Sequence, residues 1–356
     1  MQREFYLDLA RQGLRMPIGT DLILHEHEDA GAILHNGPKL GRVFETAARR
    51  YHTPLAFPIM DLRVEKADLL SGLGIAADKI DTHHFDECPG DEAFSRLESH
   101  LAKPPGKRLQ SQVEAIRHVA TTDLLPVGMA IGPFSLMTKL IADPITAVYL
   151  AASGISAADE PEVAAVERTL DLSVLVILRS IQMQINAGAK AIFIAEPAAN
   201  KAYISPNQLE AGSDIFDRYV LAPNQRIKSL MNRHGVDLIF HCCGELVDKM
   251  VSGFCALDPA ILSLGSSRKL FEDAKFMPKS TVLYGNLPSK KFFSDDMITA
   301  EQVRQQADEL VMAMRQTGHP FILGTECDTL HVPGCHQAIA AKINALMRVR
   351  KMNADN

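Results

Sequence analysis

The chain has 356 residues, 47% of them hydrophobic and 22% charged, with a formal net charge of −6. That length is ample for a large core, and the mildly acidic balance argues against nucleic-acid or anionic-membrane partners. No run of about 18 apolar residues is present to span a bilayer. The first residues are charged rather than apolar, and six cysteines without a targeting signal suggest reduced thiols, so the expectation is a cytoplasmic enzyme.

Short apolar runs ending in Gly, Pro or Asp alternate with longer amphipathic stretches along the chain. No low-complexity linker or composition shift intervenes, so residues 1–356 read as one domain. Eight such runs are expected to be strands: 17–24, 55–61, 125–133, 191–197, 236–244, 260–265, 281–288 and 321–327. Helices fill the gaps. Residues 161–188 predict one long helix stopped by Gly188, and 223–235 begin with Pro and end at Gly, both helix punctuation. Residues 299–318 open with Thr-Ala-Glu-Gln, a capping pattern, and a last helix is expected over 335–352. Eight strand-helix repeats predict a (β/α)8 TIM barrel with an N-terminal helical extension. A doubly wound open sheet is the alternative, disfavoured because no Gly-x-Gly-x-x-Gly turn follows an early strand.

In such a barrel the active residues lie at the C-terminal ends of the strands. Those ends carry Asp61, Glu196, His241 with Cys243, Asn286 and Cys327. The run Val236-Asp237-Leu238-Ile239-Phe240 closes in His241-Cys242-Cys243-Gly244. Strand side chains alternate faces, so His241 and Cys243 share one face and Cys242 takes the other. With Cys327 they make a His/Cys/Cys set that leaves one tetrahedral position open, the pattern of a catalytic zinc. The competing reading is core packing, since Cys is among the most buried residue types. Cys242 reads as core between barrel and helices. Asn286 reads as structural, as do Cys88, Cys255 and Cys335, which have no partner pattern. Asp81-Thr82-His83-His84-Phe85-Asp86 has Asp86 where a corrinoid-binding Asp-x-His-x-x-Gly needs Gly and lacks a suitable surrounding domain, the segment Asp328-Thr329-Leu330-His331-Val332-Pro333-Gly334 has the wrong spacing, and both read as structural or loop residues.

Several motifs together carry a resemblance. They are Phe57-Pro58-Ile59-Met60-Asp61-Leu62 with Val64-Glu65, Gly132-Pro133-Phe134-Ser135-Leu136, and Ala187-Gly188-Ala189 leading into 192–197. Ile204-Ser205-Pro206, 241–244, Gly285-Asn286-Leu287 and Glu326-Cys327-Asp328 continue the set. On these the chain resembles the uroporphyrinogen decarboxylase superfamily, and within it the zinc-dependent methylcobamide:coenzyme M methyltransferase branch. The resemblance implies a (β/α)8 barrel with zinc held by His241, Cys243 and Cys327. The decarboxylases themselves are marked by Arg-Gln-Ala-Gly-Arg-Tyr, where this chain has only Arg11-Gln12-Gly13-Leu14-Arg15-Met16, and by a late Gly-His-Gly, where it has Thr325-Glu326-Cys327. Asp61 stands at about the position of the decarboxylase's catalytic Asp and does not discriminate.

The expected function is therefore transfer of a methyl group between a corrinoid (a methylcobamide) and a thiol such as coenzyme M, or another acceptor such as tetrahydrofolate. A tetrapyrrole decarboxylase and a non-catalytic zinc or corrinoid-binding protein are the rivals. Zinc coordination would hold an external thiol as its nucleophilic thiolate. Two readings stand for Glu196: fourth ligand or thiol base, against a mouth residue bonded to backbone. Two also stand for Asp61: orienting a zinc-bound His, against capping its strand end. No corrinoid domain is visible in the sequence, so the corrinoid is expected on a separate protein, docking on loops 81–105 and 201–222, or else as free cobalamin.

Overall fold

The computed structural model describes residues 3–348. Eight parallel strands form its sheet: β1 (Arg15–Met16), β2 (Leu55–Ala56), β3 (Leu125–Ile131), β4 (Ala191–Ala195), β5 (Asp237–Cys242), β6 (Ile261–Leu264), β7 (Val282–Leu287) and β8 (Phe321–Thr325). Their spatial order is β1-β8-β7-β6-β5-β4-β3-β2, and every ladder is parallel. Helices alternate with the strands, so this is the (β/α)8 barrel architecture. Among the described residues no ladder joins β1 to β2, the two shortest strands. The gap is bridged by side chain instead, where Thr20 Oγ1 donates to the Phe57 carbonyl at 2.8 Å.

Strand alternation divides the core into two layers. Ala191, Phe193, Ala195 and Ile239 face the barrel interior with Val127, Met129, Val282 and Tyr284. Ile192, Ile194, Leu238, Phe240 and Cys242 face the helices. The runs are apolar on both faces because a parallel sheet wrapped by helices is buried on both. The helix Arg3–Arg11 precedes β1 and closes the barrel's lower end, where Tyr6 packs under the interior and its hydroxyl donates to Asp237 at 3.1 Å.

The helix expectations hold, with ends shifted by one or two residues at Pro161–Asn186 and Ala222–Arg233. Thr299 and Gln302 form the expected capping box on Ala300–Thr317, and Gly318 ends that helix in the left-handed region (φ 57°). The last helix runs His336–Met347, and residues 349–352 of that expectation lie outside the described residues. The first strand is a correction. Residues 17–24 do not form it; β1 is Arg15–Met16, and Thr20–Leu24 is a short helix. Leu22, Ile23 and Leu24 are all buried against the helix Gly37–Arg50, and so short an apolar run has no periodicity to tell strand from helix. Among the described residues no helix is long and apolar enough to cross a membrane.

Candidate metal centre

β5 pairs with β4 and β6 so that His241 lies opposite Ala195 on one side and Ser263 on the other. The His241 ring is buried inside the barrel and stacks on Phe193 with ring centres 5.1 Å apart. Its Nδ1 meets Ser263 Oγ at 2.9 Å, while Nε2 is buried without a hydrogen-bond partner. Cys243 follows two residues later on the same face, half-buried at the mouth. The loop after β6 crosses it so closely that a Cβ at Gly265 would sit 2.7 Å from the Cys243 carbonyl oxygen.

Cys327 approaches from β8. Its Sγ lies 3.6 Å from Met60 Sδ, and its carbonyl accepts from Ser289 Oγ at 3.3 Å. The ligand atoms of His241, Cys243 and Cys327 all lie within 4.8 Å of one another. The fold therefore gathers the three residues singled out from the sequence, drawn from strands five and eight.

This set fits a zinc ion. Zinc favours thiolate and imidazole donors in tetrahedral geometry, and a buried ring nitrogen left unpaired is costly unless a ligand takes it. With Nδ1 engaged by Ser263, Nε2 is the nitrogen left to bind a metal. The hydrogen bond from the Cys327 thiol, opposed by burial, holds Cys243 well below the ordinary thiol range, helped by His241 and the Lys290 ammonium. Cys327 is pushed up by that same bond and by burial.

Glu196 and Asp61 are not brought to these three residues. Glu196 is one step out of phase with β4's inward residues and faces the helix layer. There it is fully buried, accepting from Phe134 N at 3.3 Å, Ser135 N at 2.5 Å and Asn224 Nδ2 at 2.9 Å. It holds the start of the helix Pro133–Thr138, and any Cβ at Gly132 would fall 2.1 Å from its Oε2. Burial raises its pKa, opposed by Ser135 and Asn224. Of the two readings, the geometry gives the backbone-bonded one, displaced from the mouth to the helix side. Asp61 is not at a strand end: β2 stops at Ala56 rather than at 61, and Asp61 lies in the loop beyond it, accepting from Arg108 Nε at 2.9 Å and Arg63 N at 3.2 Å. Ser263, not Asp61, occupies the second nitrogen of His241.

The remaining residues fall as follows. Cys242 is fully buried on the helix side, its Sγ 3.6 Å from the Ala199 carbonyl. Asn286 donates to the carbonyls of Gly265 and Arg268, both at 2.8 Å. All six cysteines are free, and His331 stacks on His25 at 4.5 Å. Three participants at the centre were not foreseen. Ser263 is the one polar residue of Ile261–Leu264 and could have been found from register with His241. Met60 looks like ordinary core. Lys290, just after β7, is exposed and looks like a solvated surface lysine, yet its backbone N donates to Glu326 Oε1 at 3.4 Å and its ammonium feels the charge of Cys243 and Glu326. Those anions and Cys327 outweigh burial and raise its pKa.

Comparison with known proteins places the chain. No curated protein sequence matches it. Among solved structures, a methyltransferase from Methanosarcina mazei is similar, with TM-score 0.64 and 16% identity over 94% of this chain and 91% of that one. That likeness is one of fold. The uroporphyrinogen decarboxylase (URO-D) family profile matches residues 27–346, nearly the whole barrel, and the chain belongs to that family.

Proposed function

We propose that this protein is a zinc-dependent methyltransferase of the URO-D family. It would move a methyl group between a corrinoid, carried on a separate protein, and a thiol such as coenzyme M or another acceptor such as tetrahydrofolate. One observation carries the reading: His241, Cys243 and Cys327 converge at the barrel mouth with the His241 Nε2 unpartnered. A zinc ion held by these three side chains would keep an acceptor thiol as its thiolate on the fourth position. The chain's own contribution is positional. Ser263 fixes the ring of His241, and the loops after β6 and β7 hold the cysteines. The Methanosarcina mazei protein, a methyltransferase by name, agrees with this reading but shows only the fold.

A decarboxylase reading fares worse. It needs arginines free to grip substrate carboxylates, and here Arg11 is engaged by Glu4 and Asp8 while Arg15 donates to the Met347 carbonyl. It also gives no use to a His/Cys/Cys set. The test is to assay zinc, then supply methylcobalamin with a panel of thiols and tetrahydrofolate, following the corrinoid spectrum. About one zinc per chain with acceptor-dependent demethylation is expected. Zinc without turnover on any donor, free or protein-bound, would leave a binding protein, and absence of zinc would sink the proposal.

A further inference from the structure

A second concentration of charge lies beside the mouth, on the loops after β2 and β3. Arg63, Lys66, His84 and Lys139 line a cavity of about 520 Å³, and among the described residues Asp81 is the one carboxylate in that lining. Asp81 is taken by the Arg63 guanidinium. The neighbouring Asp61 is taken by Arg108 at 2.9 Å. Among the described residues no carboxylate pairs with Lys66 or Lys139.

Lys66 is the unusual member. It sits on the first turn of the helix Val64–Gly72, and only 5% of it is exposed. Its ammonium donates to the Asp81 carbonyl at 3.1 Å, one of the three hydrogen bonds such a group can make. Burial and the neighbouring Lys139 charge lower its pKa, with Arg63 adding to the effect and Asp81 opposing it. A buried ammonium without a counter-ion costs free energy that a bound anion would recover. Arg63, His84 and Lys139 are exposed, so the cavity is open to such an anion. The chain also ties this cavity to the metal centre. Met60 Sδ is 3.6 Å from Cys327 Sγ, and Arg63 is the third residue beyond Met60, a span of at most about 10 Å.

We propose that this cavity is a phosphate subsite beside the mouth. Lys66 and Lys139 take the phosphate group of a substrate whose other end reaches the metal centre. The anion site stands on its own geometry, and its use by a substrate rests on the metal reading above. Two ammonium charges match a phosphate monoester, which carries about −1.5 to −2 at pH 7. Lysines bind phosphate as point charges, whereas a carboxylate is best gripped by the fork of a free guanidinium. The guanidinium in this lining is already engaged by Asp81.

The test is isothermal titration calorimetry of inorganic phosphate into the full chain supplied with zinc, with glutarate as the dicarboxylate rival and zinc measured on the same samples. Phosphate should bind more tightly than glutarate, and its affinity should fall as salt rises. Lys139→Gln and Lys66→Met should each weaken phosphate binding about tenfold, the scale of one hydrogen bond to a charged group. Lys66→Met is read where its circular dichroism matches wild type, and the exposed Lys139→Gln decides otherwise. Phosphate held by the metal instead would leave both affinities unchanged and overturn the inference. Glutarate bound as tightly as phosphate would also overturn it. Zinc without phosphate binding would overturn this inference alone. Phosphate binding to a chain that takes up no zinc would uphold the anion site and sink the metal reading.

Discussion

Strands β4 and β5 lie side by side with Ala195 opposite His241, yet the polar residues that close them belong to different layers. His241 and Cys243 continue the inward phase of β5 and reach the barrel mouth. Glu196 continues the outward phase of β4 and is sealed beneath the helix Pro133–Thr138. Both strand ends carry conspicuous polar residues, and only one supplies donors to the candidate centre. The lesson is that in a barrel a strand-end position says little until the side chain's phase is read. An ionisable group one residue out of phase becomes part of the architecture.

Substitutions on the two sides should therefore fail differently. The largest effect is expected at the mouth. Cys243→Ser or Cys327→Ser should weaken zinc binding by more than about a thousandfold, beyond the 10–100-fold typical of outer-shell changes, with the far-ultraviolet circular dichroism unchanged. Cys242→Ser, on the helix side, should keep its zinc. Equal zinc loss from Cys242→Ser and Cys243→Ser would erase the distinction between the layers.

On the helix side the currency is stability. Glu196→Ala strands two backbone N–H groups and the Asn224 amide in the core, and should cost about 2–4 kcal/mol in urea unfolding while zinc stoichiometry stays at wild type. Zinc loss in a folded Glu196→Ala protein would return that carboxylate to the metal centre.

Glu65 sharpens the contrast through pH. It is buried in the helix layer, Oε1 accepting from Ser180 Oγ at 2.7 Å and Oε2 unpartnered. Burial, partly opposed by Ser180, raises its pKa from 4.5 to about 7. A carboxyl raised on folding binds its proton more tightly in the native state. Its contribution is complete below pH 4.5 and is lost as pH rises through about 7. The loss amounts to roughly 3 kcal/mol at 1.36 kcal/mol per pKa unit. Glu65→Gln should flatten that part of the stability profile, and an unchanged slope would show that other groups govern it.

The smallest expected effect returns to the mouth. Ser263→Ala removes the Nδ1 partner of His241 and should lower zinc affinity by about 10–100-fold, with stability changed little. No change in affinity would mean that packing on Phe193 alone orients the ring.

Much of this was legible in the sequence because its signals are local. Alternation placed His241, Cys242 and Cys243 on their faces, and Pro, Gly and Thr-x-x-Gln punctuation set most helix ends. The barrel count told that the ends of strands five and eight could meet. What was missed depends on register or phase across elements. Ser263 becomes significant only once β6 is aligned with β5. Lys290 does so only once its turn is tied to Glu326. The Glu196 placement failed because phase was applied to β5 and not to β4. The misplaced first strand reflects a two-residue element whose neighbours carry the apolar residues.

Zinc-edge X-ray absorption, recorded before and after adding a substrate thiol, tests the central claim most directly. One zinc per chain should show one nitrogen and two sulfur protein ligands with a light fourth atom, and the sulfur count should rise from two to three with the thiol. Four protein nitrogen or sulfur ligands that do not change on adding thiol would mark a structural zinc and contradict the account.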